Sequence, residues 1–478
     1  PFLSDYFDMD YVAHELGHQF GAYHTFAYSS EGTNVQSEPG SGSTIMAYGG
    51  IISGENSQRH SDVYFHYHSI KNINNYLATQ SCATVTPISN QAPVVNAGSD
   101  YALPTATPYV LTAVATDTDG DTLSYCWEQL DSGLVGSDEF GPELLSGPTN
   151  RSLYPVSSAS RTLPRLASVL SGSLTQTNPG LLDSWETLST VGRTLRWGVT
   201  VRDRSEAAPN GVGQMAQDDM LITIIDGAGP FQTTNLAAAA TVWKTGENVL
   251  VEWDVAQTDQ SPINTQTVSI FLSDDGGITF PHLLKSQTPN DGEAEIVVPE
   301  GIATNRARVK IVADNSIYFT INPANFQIQN RSFSTTFQQA YGQTYCGASG
   351  TLSLPFRLQS YGGFSDNVQL SLENVPTGVS ATISPSVLNG DNVPGSLTLS
   401  DTENLAGEYT FTLVGTSGAL VERQNISLRF YSATVLPPVL NAPSENATGV
   451  NPIAQLSWTA NPQAVSYTVQ LSTQEDFS

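Results

Sequence analysis

A chain of 478 residues is long enough for several domains. Its 45 acidic side chains against 18 basic ones give a formal charge of −27, which argues against nucleic acid or an anionic membrane surface as a general partner. Three scattered cysteines (Cys82, Cys126 and Cys346) exclude a disulfide framework and leave one bridge optional, and no run of about eighteen apolar residues suggests a membrane span.

The first predicted element is a helix through HELGHQFGAYH, residues 14–24. Asp8 or Asp10 is placed to cap it. His14 and His18 fall at i and i+4 and share one face. Val12, Leu16 and Phe20 fall roughly opposite and are expected to form the buried side. Gly21 stands where such a helix ends, and glycine accepts the positive φ of a sharp turn that swings His24 back beside the other two. Three neutral imidazoles supply three corners of a tetrahedral Zn2+ site and leave the fourth to water, which is the pattern of a catalytic rather than a structural zinc. Glu15, next to the first ligand, is then the expected general base.

The extended HExxHxxGxxH, followed by Met46 in SGSTIMAYGG where a methionine turn belongs, resembles the metzincin metallopeptidases. The flanking HQFGAYHTF and EPGSGSTIMAY are most similar to the secreted bacterial reprolysin-like group. This resemblance implies a zinc endopeptidase that hydrolyses proteins or peptides outside the cell. It assigns one catalytic Zn2+ to His14, His18 and His24, makes Glu15 the base, and puts Met46 beneath the histidines as a hydrophobic floor. Tyr48, two residues later, stands where some relatives carry a tyrosine that stabilises the oxyanion; packing under the cleft is its other reading. AYGGII after Met46 would line the primed-side pocket. Two departures stand out: Thr25 follows the third ligand where animal adamalysin-like relatives have Asp, and residues 49–55 lack the relatives' cysteine, which leaves Cys82 without its partner. The resemblance also implies a sheet and helices ahead of the zinc helix. Residues 1–85 therefore read as the C-terminal part of a catalytic domain, and the 478-residue chain is expected to bind zinc weakly and cleave little or nothing, because the strand that aligns substrate is missing.

A second helix is expected from about residue 61 or 62 to 79, with Ile70, Ile73, Tyr76 and Leu77 at helical spacing. His66 and His68 cannot share a helical face and read as packing or surface residues, not as a second metal site. A polar linker at 86–98 leads into β-prone runs separated by turn signals. They group as sandwiches at 92–228, 229–330 and 331–434, the first similar to polycystic-kidney-type and cadherin-like repeats and the others immunoglobulin-like. No strands are assigned within 131–190. Asp117, Asp119 and Asp121 in DTDGD read as a turn, with Ca2+ as the alternative, because a hard cation takes several oxygens. Trp253 is assigned to a core. Residues 435–478 resemble the opening of a fibronectin type III domain, with Trp458 and Tyr467 as core aromatics. The expected fold class is multidomain: a partial α+β metzincin domain followed by an array of all-β immunoglobulin-like sandwiches. A competing reading is a cell-surface adhesin or polymer-binding protein with a degenerate peptidase segment. The intact ligand set, Glu15 and Met46 argue against degeneration.

Overall fold

The computed structural model describes residues 7–474 apart from 83, 85, 205–211, 238–240, 338–342, 347–350, 404, 432–437, 445–446, 452, 461–465 and 473. It divides into two compact units, Pro1–Gln329 and Asn330–Ser478.

The first unit opens with helical turns at Asp8–Ala13, wound more widely than an α-helix, which run directly into α1 (His14–Gln19). Neither Asp8 nor Asp10 caps this helix, because both lie inside its first turn. The Asp10 carboxylate instead accepts from Ser61 N at 2.9 Å. Asp62 N is committed to Ser43 O. α2 (Tyr67–Ala78) begins later than the sequence suggests: His66, with ψ at 157°, stands outside the helical region, and its Nδ1 caps the helix by accepting from His68 N. Val12, Leu16 and Phe20 are not buried; they are 43%, 46% and 44% exposed. The helix is held from its other side, through His14 and Gly17, so Leu16 and Phe20 edge an apolar groove with Phe65, Ile73, Leu77 and Met215.

The first sandwich contains β1 (Val94–Asn96), β2 (Tyr101–Pro104), β3 (Tyr109–Thr112), β4 (Val114–Thr116), β5 (Thr122–Gln129), β6 (Ser160–Leu163), β7 (Arg193–Arg204) and β8 (Met215–Ile225). One sheet runs β2-β8-β7-β5, with β2 parallel to β8 and the other neighbours antiparallel; β3 pairs with β6, and β1 with β4. The period of two is plain on β7, where Leu195, Trp197, Val199 and Val201 are all buried. A helix that the sequence did not signal, α3 (Leu166–Ser171), ends at Gly172 in the left-handed region. Its Val169 packs on Phe319 and Ile321 of the second sandwich, so tertiary contact accounts for it rather than periodicity.

The second sandwich is built from strands between Gln232–Thr233 and Phe326–Gln329. Trp253 is buried in it, and its indole N–H donates to Asn290 Oδ1 at 2.9 Å. Leu103, Trp197 and Ile222 of the first sandwich and Val251, Ile270 and Ile311 of the second belong to one continuous hydrophobic core. Phe319 N donates to Pro108 O at 2.9 Å across the joint.

The second unit is a further sandwich. One sheet joins Phe333–Phe337, Thr351–Ser360, Val393–Ser400 and Ser380–Ser384; the other includes Val368–Glu373, Gly407–Ser417 and Leu420–Tyr431. Phe356, Leu397, Phe411, Leu413 and Leu428 fill the space between them. Among the described residues beyond 434, one pairing joins Leu440–Ala442 to Ser457–Trp458, and the Trp458 and Tyr467 rings lie 5.4 Å apart. No described helix is long and apolar enough to cross a membrane. Cys82 is an exposed free thiol and Cys126 a buried one; the side chain of Cys346 lies outside the described residues.

The N-terminal segment is fastened to the first sandwich. The 86–98 stretch is docked along it: Asn90 is buried and donates to Asp203 Oδ2 at 3.1 Å. The loop-rich region 131–190 packs around residues 27–58. Gly40 N donates to Val135 O, Val135 N to Ala27 O and Ser137 N to Glu55 Oε2, all within 2.9 Å. Ala27, Val135, Phe140 and Trp185 form a small core of their own. Gly40 is a required glycine: its φ is +59°, and a Cβ there would meet Trp185 Cη2 at 2.5 Å.

A buried pair lies at the same joint. His66 Nε2 and Glu128 Oε1 are 3.7 Å apart, both side chains fully buried, and Glu128 Oε2 accepts from Tyr67 N. Burial pushes the Glu128 carboxyl up to about 8, against the opposing pull of Arg202, and burial holds His66 well below the usual imidazole range. The pair is therefore neutral near pH 7. An unfolded Glu128 carboxyl titrates near 4.5, so the folded state holds its proton more tightly. This contribution to stability is complete below about 4.5 and is lost as pH rises through about 8. Glu128→Gln imitates the protonated form. It should match the unaltered protein at pH 5 and exceed it at pH 9 by on the order of 3–5 kcal/mol in chemical denaturation. Parallel pH profiles for the two proteins would refute this.

Candidate metal centre

Three acceptors set the three histidines. His14 Nδ1 donates to Ile45 O at 2.7 Å, His18 Nδ1 to Ala22 O at 2.9 Å, and His24 Nδ1 to Glu31 Oε1 at 2.8 Å and Oε2 at 3.0 Å. Carbonyl and carboxylate oxygens only accept, so Nδ1 of each ring carries a proton, and in the neutral ring Nε2 is then the nitrogen with the free lone pair. Those three Nε2 atoms converge: His24 Nε2 lies 3.1 Å from that of His14 and 3.0 Å from that of His18. Lone pairs pointed at one another across such distances repel unless a cation lies among them. A cluster of neutral imidazoles is the donor set that Zn2+ takes. Burial, the largest influence on His14, also holds that ring below the usual imidazole range.

The backbone that achieves this depends on two glycines. Gly21 has a φ of +89° and turns the chain after α1, and a Cβ there would meet Tyr76 Cβ at 2.7 Å. Gly17 lies inside the helix, where a Cβ would collide with Met46 Sδ. Met46 is fully buried against Ala22 and Ile45, and its carbonyl accepts from Thr25 N at 3.0 Å. The methionine thus lies directly under the helix that carries His14 and His18.

Glu38 ties Thr25, which follows His24, to the methionine turn. Its fully buried carboxylate accepts from Thr25 Oγ1 at 2.7 Å, Ser43 N at 2.8 Å, Ser43 Oγ at 3.2 Å and Thr44 N at 3.1 Å, and from Thr44 Oγ1 as well. A buried carboxylate with this many donors is held in one place. Tyr48 packs its ring against His14 and His24, with centroids at 5.6 Å and 4.7 Å. Burial raises its hydroxyl pKa, with the nearby Glu31 and Glu15 acting in the same direction. Glu15 is exposed on α1, close enough for its charge to act on both His14 and Tyr48.

The structure brings His14, His18, His24, Met46 and Tyr48 together, with Glu15 beside them. The aspartates lie elsewhere, between β4 and β5. Asp117 Oδ1 accepts from Asp119 N at 2.9 Å and Asp121 N at 3.0 Å, which makes the cluster an Asx-type turn, and their carboxylates come within 4.8 Å of one another. His66 and His68 form no metal-ligating group among the described residues. Gly17, Glu31 and Glu38 escaped sequence reasoning. Glycine inside a helix costs about 1 kcal/mol relative to Ala, and that cost is the one signal that marks Gly17 as needed. The two glutamates stand in an aperiodic polar loop that offers none.

Residues 3–77 match the family described as metallo-peptidase family M12B, reprolysin-like. No curated protein matches the chain. Solved structures similar to it include Drosophila OTK extracellular domains 3–5 (9% identity over 73% of this chain and 100% of that one, TM-score 0.15). Domains 4 and 5 of the S-layer protein SbsC are 11% identical over 36% of this chain and 81% of theirs, TM-score 0.17. The N-terminal eight Ig domains of Down Syndrome Cell Adhesion Molecule are 12% identical over 74% and 43%, TM-score 0.17. These structural likenesses are too slight to bear on activity. The family match is short but coincides with the histidine cluster, and at the level of the family it supports a metallopeptidase with a zinc cofactor.

Proposed function

We propose that this chain belongs to a secreted bacterial zinc endopeptidase that cleaves extracellular proteins or peptides, with its β-sandwiches as scaffold and as attachment modules for cells or polymers. The observation that carries the reading is the set of three Nδ1–H imidazoles whose bare Nε2 atoms converge. Bound there, zinc would supply a Lewis acid for the scissile carbonyl and would make a nearby water more acidic. The protein's own residues do the rest. His14, His18 and His24 hold the metal. Glu15 takes a proton from the attacking water and passes it to the departing amine. Tyr48 donates from its hydroxyl to the carbonyl oxygen as negative charge grows there. Met46, buried below, keeps the ligand platform dry and rigid. The turn at Asp117, Asp119 and Asp121 is a second and weaker cation candidate, for Ca2+.

The test is zinc stoichiometry together with casein turnover on the natural full-length protein. One Zn2+ per chain is expected, lost in His18→Ala, with turnover lost in parallel and restored to the unaltered protein by zinc after chelation. Absence of stoichiometric zinc from a folded protein would overturn the reading in favour of an adhesin with a degenerate peptidase segment.

A further inference from the structure

His24 differs from the other two ligands in how it is held. His14 and His18 donate to main-chain carbonyls. His24 donates to a side chain, with both Glu31 carboxylate oxygens within 3.0 Å of its Nδ1. The pair lies near the surface, His24 14% and Glu31 36% exposed. A side chain so placed would ordinarily sample several rotamers, but the main chain that carries this one is anchored. Glu31 N donates to Gln36 Oε1 at 3.1 Å, and the Gln36 amide donates in turn to Ser29 O, which closes a small loop around residues 29–36. Gln36 is buried, and its carbonyl accepts from Gly133 N at 3.2 Å, so the first sandwich holds the loop from below.

Resting on the zinc reading above, we propose that Glu31 is the positioning residue of the third ligand: it fixes the His24 tautomer and ring plane, with Nε2 turned toward the other two imidazoles. A carboxylate behind a metal-binding imidazole does both, through a charge-assisted hydrogen bond and by placing negative charge near the cation. Through Gln36 and Gly133 this assigns the first sandwich a direct hold on the metal centre.

The experiment measures Zn2+ affinity on the whole chain by competition with a chromophoric chelator, for the unaltered protein, Glu31→Ala and Glu31→Gln. Co2+ absorption spectra and the thermal melting of the metal-free chains are recorded alongside. Glu31→Ala should weaken zinc binding by about 10–100-fold. Glu31→Gln keeps an acceptor oxygen but loses the charge, and should fall between. Both should shift the Co2+ bands, and the metal-free chains should melt with the unaltered one. Unchanged affinity and spectra in both variants, while the unaltered chain binds one zinc, would overturn the role of Glu31 alone. Weakened binding matched by lower melting of the metal-free chain would also overturn it, since the loop would then have collapsed. No zinc in the unaltered chain would overturn this inference and the peptidase reading together.

Discussion

Glu15→Gln should leave zinc stoichiometry at one per chain and lower peptide hydrolysis by about 100–10,000-fold, the range that a positioned general base commonly contributes. Two structural facts make this a clean test. Glu15 is exposed on α1 and is no part of the histidine cluster, so the amide costs little stability. The three histidines take their orientation from Ile45, Ala22 and Glu31, none of which Glu15 touches through a hydrogen bond in the structure. Glutamine keeps the shape and loses the capacity to take a proton. Zinc content by atomic absorption and casein or gelatin turnover of the natural full-length protein read the two effects separately. Retained turnover in the glutamine variant would remove Glu15 from the mechanism while leaving the metal site intact.

Trp185→Ala should destabilise the first unit by about 3–5 kcal/mol, the usual range for truncating a buried aromatic. Trp185 is fully buried; its indole N–H donates to Gly180 O at 2.9 Å, and its ring meets Phe140 edge-on at 5.5 Å. It also covers Gly40, whose loop leads to the methionine turn. The loss should therefore appear in two places: in unfolding of the first sandwich, and in hydrogen exchange of residues 36–58 under native conditions. Zinc affinity should fall with the second. If the sandwich were a detached accessory module, exchange in 36–58 would stay as it was while the sandwich alone weakened, and that outcome would refute the joint described above.

Legibility in the sequence followed periodicity and motif spacing. HExxHxxGxxH specifies its own local geometry: i and i+4 imidazoles on a helix, then a glycine whose positive φ returns the chain. Alternation marked strands such as β7, because a sheet face with a period of two leaves its trace in consecutive residues. Where contacts are distant in sequence the reading went wrong. Asp10 looked like a cap and instead reaches Ser61; the Leu16 face looked buried and is half exposed; α3 has no periodic signal and is packed into place by Phe319 and Ile321.

By itself the sequence determined a three-histidine centre with its adjacent glutamate, a methionine downstream, and a long run of short strands with turns between them. Each of these is written in residues a few positions apart. Tertiary structure alone decided that the region 131–190 clasps the methionine turn, that two sandwiches share one core, that Glu38 ties Thr25 to Ser43 and Thr44, and that Glu31 turns toward His24. The reason is physical. Burial of Glu38 and Trp185, and the carboxylate hydrogen bond to His24, arise from contacts between segments separated by loops of no fixed period, and only the folded chain brings their atoms within reach.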